Sequence, residues 1–199
     1  MDSSLIGMNQ EERIARTQRI PYVRVGEKAD ICITFLDPQP EQIRVKDFAL
    51  HLAKQCRYLG AVPGWYSNAE HCILGARVAS NNDVARQFLI HDAGEYVFGD
   101  MPSPIGRMFP DYKAAAHKFQ LFLLKLYCGV EEFDPEVKII DDAITSTEQK
   151  RIRKTPNSCL WTESWYDEET VQFYFWPWEQ AYIRYMDMFT WLFPEVKIA

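Results

Sequence analysis

The length, composition and charge of the chain are those of an ordinary globular protein. Its 199 residues, 47% hydrophobic and 25% charged, are enough for one domain with a buried core. The formal net charge of −6 argues against a protein that coats nucleic-acid polymers, because such proteins show a basic excess. A small anionic substrate is compatible with this charge, since a metal ion or a few local cations can bind it.

The five cysteines predict neither a disulfide framework nor a zinc ribbon. Their number is odd, their spacings are wide and no Cys-x-x-Cys pair occurs. Reduced thiols are typical of the cytoplasm, where we expect the protein to be located. The N-terminal stretch MDSSLIGMNQEERIAR lacks the apolar run of a signal peptide, and no segment approaches the length of a membrane span. We therefore expect no membrane partner.

The hydrophobic pattern predicts a mainly α-helical fold. Residues 8–19 are polar and are expected to form a short exposed helix. Alternation over residues 22–36, with Gly26 at a turn, predicts one or two short strands. Helical periodicity then predicts helices at 45–56, 66–79, 83–98, 111–127, 135–153 and 179–193.

Two of these helices carry recognisable start signals. Ser67, followed by Glu70, forms a capping-box pattern, and Pro135 suits the first turn of a helix. The proline-marked stretch 99–110 is expected to be a loop. Residues 155–175 are expected to be irregular or to form short strand.

Two of the four histidines stand in apolar helical segments together with acidic residues. His71 lies in YSNAEHCIL and His91 in QFLIHDAGEYVF. A single buried histidine is ordinarily a hydrogen-bonded core residue, but Asp92 is costly to bury unless it is paired or binds a metal. Asp141 and Asp142 occur in similar apolar surroundings. Together these residues form a mixed nitrogen and oxygen ligand set that suits a divalent transition metal.

Glu95 lies about one helical turn after the His91–Asp92 pair, and therefore on the same side of a helix. If the pair holds a metal, Glu95 can orient a water molecule or take its proton. The alternative is a surface ion pair with Arg86 or Arg107.

The order His71, His91–Asp92, Asp141 resembles the H…HD…D signature of the HD-domain metal-dependent phosphohydrolases. YSNAEH is similar to the segment that carries the first histidine of that family. LIHDAGEYVFGDMPSPI is similar to the second segment, in which HD is followed by a glutamate and then by G-D-x-P-[ST]-P. VKIIDDAITSTE is similar to the third, whose register selects Asp141 over Asp142 as the ligand.

The resemblance implies an all-α HD-domain helical bundle with a short N-terminal strand and loop extension. It covers about residues 30–154 of a single domain spanning 1–199, which leaves 155–199 as an aromatic-rich extension. The relatives that the motifs most resemble are 5′-deoxynucleotidases and phage deoxynucleoside triphosphohydrolases acting on dATP.

The implied reaction is metal-dependent hydrolysis of the 5′ phosphoester of a free deoxynucleotide. The leading substrate is a purine deoxynucleoside triphosphate, cleaved to nucleoside and tripolyphosphate. One alternative is a 5′-deoxynucleotidase acting on monophosphates, and another is a non-catalytic regulatory domain that binds nucleotides. A phage-encoded member would act in the host cytoplasm.

The resemblance also implies the chemistry of the centre. A divalent ion (cobalt, zinc, manganese or magnesium) would be held by His71, His91, Asp92 and Asp141. Glu95 would position or activate the attacking water.

Substrate contacts follow from the same resemblance. Arg57 would contact the phosphate or sugar, and Asp100, which by itself indicates only a turn residue, would bind the sugar 3′-hydroxyl. Arg107 stands near the position at which relatives carry a lysine. Tyr58 and Trp65 are candidates for stacking on the base, with core packing as the alternative.

More phosphates require more cations than the motifs supply. The candidates are Lys113, Lys118 and the basic run KRIRK at 150–154, for which the alternative is a solvated helix end. The tryptophans of the C-terminal region are typical of a core or a subunit interface, so we expect a homo-oligomer.

Overall fold

The computed structural model describes residues 22–156, 160 and 162–198, and this part of the chain is mainly helical, as predicted. The expected helix at 8–19 lies outside the described residues, as do Cys159 and Trp161. No disulfide joins the four cysteines within the described ranges. Among the described helices, none has both the length and the apolar character needed to cross a bilayer.

A small antiparallel hairpin precedes the helices. Strands β1 (Val23–Val25) and β2 (Ile31–Ile33) pair in the register that sets Val23 opposite Ile33 and Val25 opposite Ile31. Gly26 follows β1 with φ +88°, a left-handed conformation that glycine adopts without strain. Val25 and Ile33 are buried, so one face of the hairpin belongs to the hydrophobic core.

The helices agree with the sequence prediction apart from two differences. Short 3₁₀ turns occupy Pro40–Gln42 and Arg57–Gly60. The α-helices, in chain order, are α1 (Val45–Lys54), α2 (Asn68–Val78), α3 (Asn82–Ile90), α4 (Glu95–Phe98), α5 (Ser103–Gly106), α6 (Pro110–Cys128), α7 (Pro135–Arg151) and α8 (Trp178–Leu192).

The first difference is that the stretch expected to be a loop, 99–110, contains the one-turn helix α5. The second is that the helix expected at 83–98 is interrupted. Helix α3 ends at Ile90, and the backbone then tightens, with Ala93 N donating to Ile90 O and Glu95 N to Asp92 O, each at 2.9 Å. Neighbouring residues of a regular helix point about 100° apart. The turn instead brings the side chains of His91 and Asp92 within 3.2 Å of each other.

Helix α2 is the central element of the fold. It packs against α1, α3, α7 and α8. An added side-chain carbon at Gly75 would lie 2.0 Å from the ring of Phe88, so α2 and α3 approach closely. On one side of α2 a core cluster contains Phe48, Tyr185 and Phe189, and on the other a second cluster is built from the rings and aliphatic chains of Tyr66, Phe88, Val137, Ile140, Ile144 and Val171.

Glu70 attaches the C-terminal segment to this central helix. Ser67 caps α2 by accepting from Glu70 N at 3.1 Å, as the capping-box pattern predicts. The Glu70 carboxylate does not complete the box. It instead accepts the backbone N–H groups of Tyr174, Phe175 and Trp176 at 2.6 to 3.1 Å. The irregular conformation expected for 155–175 is present in the described part of that range.

Candidate metal centre

The four residues that the sequence nominates as metal ligands converge from three elements. His71 comes from α2, His91 and Asp92 from the turn after α3, and Asp141 from α7. His71 Nε2 lies 3.4 Å from Asp141 Oδ1 and 3.7 Å from Asp92 Oδ2. His91 Nε2 lies 3.2 Å from Asp92 Oδ1 and 3.9 Å from Asp141 Oδ1. One nitrogen from each ring and an Asp141 oxygen lie within 4.8 Å of one another, a spacing that a single ion can bridge.

The imidazole nitrogens that face this centre lack hydrogen bonds among the described residues. Among the described residues, the buried Nε2 atoms of His71 and His91 have no hydrogen-bond partner. Buried polar atoms in proteins are ordinarily satisfied, so two such atoms at one place indicate a ligand. His91 Nδ1 lies 2.6 Å from Phe88 O, which can only accept. Nδ1 therefore carries a proton, which leaves Nε2 as the ring nitrogen that can bind a metal, so the donor set fits a divalent ion.

Glu148 forms the layer behind His71. It has no exposure to solvent. Its carboxylate accepts from the hydroxyls of Tyr58 and Tyr66 at 2.5 and 2.8 Å, and from Arg57 Nε at 3.1 Å. His71 Nδ1 lies 2.7 Å from the same carboxylate. Metal-binding histidines typically have such an outer partner, which fixes the ring orientation.

The charges of this cluster shift the proton affinities of its members. Burial opposes protonation of His71, but the carboxylates of Glu148 and Asp141 outweigh it and raise the pKa of His71 to about 9. Burial would likewise raise the pKa of Glu148, yet the Arg57 and His71 charges lower it to about 2. The pKa of Asp141 is held well below its usual range, against burial, by the two neighbouring imidazoles. The carboxylates behind and beside His71 are therefore ionised at neutral pH.

Glu95 faces the same centre and is held in place by two amides. Asn68 Nδ2 donates to Glu95 Oε2 and, at 3.2 Å, to Gln55 Oε1. Gln55 Nε2 in turn donates to Glu95 O at 2.9 Å. The alternative partner Arg86 instead pairs with Glu195 at 2.9 Å, so Glu95 is not part of a surface ion pair with it. Sequence reasoning missed Asn68, whose only signal is its position in YSNAEH.

The environment of Glu95 favours its protonated form. Burial is the largest cause, and the nearby carboxylates of Asp92 and Asp100 raise the pKa of Glu95 further above its usual range. The pKa of Asp100 is also raised, chiefly by burial. Four carboxylates thus crowd the centre, an arrangement that a cation relieves.

A cavity of about 410 Å³ opens beside these residues. Its acidic wall includes Asp92, Glu95, Asp100 and Asp141. Basic and polar side chains contribute to the same lining, at Arg57, Tyr58, Lys138, Thr145, Gln149 and Arg153. A second cavity, of about 240 Å³, also borders Asp92 and Glu95, and its further lining includes Phe98, Tyr112 and Lys113.

Two residues that were predicted to contact the substrate do not line either cavity. Trp65 donates its Nε1 proton to Ala53 O at 3.1 Å, which commits the indole to packing beside α1. Arg107 is exposed and its Nε lies 3.4 Å from Ser103 O, one turn back along the chain. Neither residue lines a cavity of the candidate centre. Lys118 is also elsewhere, with its ammonium 3.2 Å from Leu36 O.

Tyr58 lines the larger cavity, but its ring faces are already in contact with cations. The guanidinium carbons of Arg57 and Arg153 lie 5.5 and 4.7 Å from its centroid. Tyr58 has φ +58° and Leu59 φ +55°, a left-handed conformation that is uncommon for such residues and often occurs at functional sites. Stacking of a base on Tyr58 stays a prediction.

The basic run 150–154 divides between structure and cavity. Lys150 lies 3.3 Å from the centroid of the Trp165 ring, and Arg151 donates to Val171 O at 2.6 Å. Arg153 alone of this run lines the cavity. The sequence pattern predicts the whole run as candidate phosphate contacts, and its composition does not distinguish Arg153 from its neighbours.

Comparisons with known proteins give relatives but no activity. No family model matches the chain. It is 30% identical over 110 residues to the uncharacterized protein YfdR of Escherichia coli (strain K12), covering 55% of this chain and 61% of that protein. It is 37% identical over 88 residues to the uncharacterized protein RCAP_rcc00048 of Rhodobacter capsulatus, covering 40% of this chain and 43% of that protein. The chain thus spans less than two thirds of either relative.

Proposed function

We propose that the chain is an HD-type, metal-dependent phosphohydrolase that hydrolyses the 5′ phosphoester of free deoxynucleotides. The observation that carries this proposal is the pair of buried Nε2 atoms of His71 and His91, which lack a hydrogen bond among the described residues and face Asp92 and Asp141 beside a cavity. A divalent ion bound there would supply charge neutralisation for a phosphate and would make water more acidic.

Hydrolysis of the ester changes two bonds. The oxygen of water bonds to the phosphorus, the bond from phosphorus to the 5′ oxygen breaks, and that oxygen receives a proton. A triphosphate attacked at its α-phosphorus gives deoxynucleoside and tripolyphosphate, and a monophosphate gives deoxynucleoside and phosphate. Such reactions need positioning and charge stabilisation more than covalent catalysis.

Glu95 is the proton acceptor in this scheme. Burial and the neighbouring carboxylates raise its pKa in the metal-free protein, and a cation bound at the centre would favour the ionised carboxylate that can accept a proton. The amide of Asn68 holds the carboxylate at the cavity wall and so fixes the direction of proton transfer.

Arg57 and Asp100 would orient the substrate. Arg57 is held between Glu148 at 3.1 Å and Asp92 at 3.6 Å, next to the position of the reacting phosphate. Guanidinium groups bind phosphate oxygens with a fixed, forked geometry. Asp100 lines the same cavity, where its carboxylate can accept a hydrogen bond from the 3′-hydroxyl.

The test is a substrate panel analysed by its phosphorus product. Purified protein is stripped with a chelator, supplied with cobalt, zinc, manganese or magnesium, and incubated with dNMPs, dNTPs and NTPs. Phosphorus NMR then separates tripolyphosphate from orthophosphate. Tripolyphosphate from dATP supports the leading reaction, and orthophosphate from dNMPs supports the 5′-nucleotidase.

Matched variants make this test specific. His91→Ala is expected to abolish turnover. His51→Gln should preserve turnover, because that ring accepts from Gly26 N, 3.4 Å away, and does not line the cavities of the candidate centre. Absence of turnover with every metal, combined with retained nucleotide binding, would point to the regulatory alternative and overturn the proposal.

A further inference from the structure

The basic side chains of the larger cavity differ in how far their charge is already neutralised. Arg57 is paired with Glu148 at 3.1 Å and with Asp92 at 3.6 Å. The ammonium of Lys138 lies 2.5 Å from a carboxylate oxygen of Asp142. Both cations are therefore already paired with carboxylates that lie at the centre or directly beside it.

Arg153 is different. Within the described ranges its guanidinium has neither a carboxylate partner nor a hydrogen bond, although five N–H donors are available. It is positioned by the ring of Tyr58, whose centroid lies 4.7 Å from the guanidinium carbon. An arginine that is oriented by stacking and lacks an anionic partner is suited to bind an anion in the cavity.

Gln149, one helical turn before Arg153, provides a second observation. Gln149 is buried and lines the cavity, and its Oε1 has no hydrogen-bond partner among the described residues. A buried amide without a partner is costly unless a ligand or water completes it. The N–H₂ group of the same amide can donate to a phosphate oxygen in the cavity.

The two arginines line the same cavity and lie near the same ring. Both guanidinium carbons lie near the same Tyr58 centroid, at 5.5 Å for Arg57 and 4.7 Å for Arg153, so their separation cannot exceed the sum of these distances. Arg57 also reaches to 3.6 Å from Asp92. A phosphate chain whose first phosphorus lies at the centre would pass Arg57 and extend towards Arg153.

We infer that Arg153 binds the distal phosphates of a nucleoside triphosphate and thereby makes the triphosphate, rather than the monophosphate, the preferred substrate. This inference rests on the proposed function. The phosphate of a monophosphate is contacted by Arg57 and the centre alone. The β- and γ-phosphates of a triphosphate add negative charge that these groups do not reach, and Arg153 supplies the matching cation.

The first test compares substrates in Arg153→Ala and Arg153→Lys. For Arg153→Ala we expect kcat/KM for dATP to fall about tenfold, through loss of charge-assisted hydrogen bonds at a partly solvated site. We expect kcat/KM for dAMP to change little. For Arg153→Lys we expect kcat/KM for dATP to lie between the values of the wild type and of Arg153→Ala. The control is Arg184→Ala, which removes an exposed guanidinium stacked 5.8 Å from the centroid of Trp176, away from the cavity.

Equal losses for dATP and dAMP would assign Arg153 a general structural or catalytic role and overturn the inference. Unchanged kinetics with dATP would overturn it as well. Wild-type protein that hydrolyses dAMP but not dATP would also contradict it, while leaving the proposed function intact.

A second test does not depend on turnover. Titration calorimetry of the metal-loaded protein with tripolyphosphate should show binding to the wild type, and Arg153→Ala should weaken it about tenfold. Arg184→Ala should bind as the wild type does. If the wild type hydrolyses neither nucleotide, the proposed function fails, and the calorimetry still decides whether Arg153 holds a polyphosphate. Equal affinity of wild type and Arg153→Ala would exclude that role.

Discussion

Glu148 lies 2.7 Å from Nδ1 of His71, on the side of the imidazole opposite to the candidate metal centre. This carboxylate is fully buried, and its remaining lone pairs accept from two tyrosine hydroxyls and Arg57. The position of His71 is therefore set from behind by Glu148 and by the groups that hold this carboxylate.

The first prediction concerns this outer carboxylate. Glu148→Gln keeps the size of the side chain but removes the charge that orients and polarises His71. We expect metal affinity to fall about 10- to 100-fold, the usual effect of losing an outer partner of a metal-binding histidine. Competition with a chromophoric chelator measures this. A dissociation constant equal to that of the wild type would remove Glu148 from the metal centre.

The second prediction concerns Glu95. The proposal makes this residue the proton acceptor and not a metal ligand. Glu95→Gln should keep metal affinity near the wild-type value. Turnover of the best substrate should fall about 10²- to 10⁴-fold, the contribution typical of a general base. The two measurements on one variant separate the roles. A parallel loss of metal and turnover would instead make Glu95 a ligand.

The fold was largely predictable because the helices bury continuous apolar faces. Helix α1 buries Phe48 and Leu52 as its periodicity requires, and Ser67 caps α2 as its pattern indicates. The break after Ile90 was missed because apolar positions continue through it. Backbone hydrogen bonds that tighten a turn leave no mark in hydrophobic spacing.

The residues that converge at the candidate site could be named from the sequence, but their supporting contacts could not. Ionisable side chains are unusual in apolar helical segments, and the sequence shows four of them, at His71, His91, Asp92 and Asp141. Tyr66 and Glu148, in contrast, meet across 82 positions of the chain, a relationship that only the fold determines. Arg153 was hidden in a basic run for the same reason.

A third prediction follows from the pKa of His71, which is raised to about 9 in the metal-free protein. At pH 7 the ring is protonated and must lose a proton to bind a metal. Metal binding should therefore release protons, and affinity should rise with pH up to about 9 and then level off. Calorimetry in buffers of different ionisation enthalpy measures the release. Binding heats that do not depend on the buffer would show that His71 is already neutral.

The last prediction concerns the segment that Glu70 attaches to α2. Glu70→Ala removes the acceptor of three backbone N–H groups at residues 174–176, of which the N–H of Trp176 is buried and the other two are partly buried. We expect a loss of about 3 kcal/mol or more in the free energy of unfolding, since each unsatisfied buried donor costs about 1–3 kcal/mol. Glu70→Gln keeps one acceptor oxygen and should lose less. Urea unfolding followed by circular dichroism measures both variants. Because Glu70 precedes His71 on the same helix, metal affinity measured on the folded variants then tests whether this attachment also positions the metal centre. If Glu70→Ala were as stable as the wild type, the three hydrogen bonds would not be what attaches the C-terminal segment to α2.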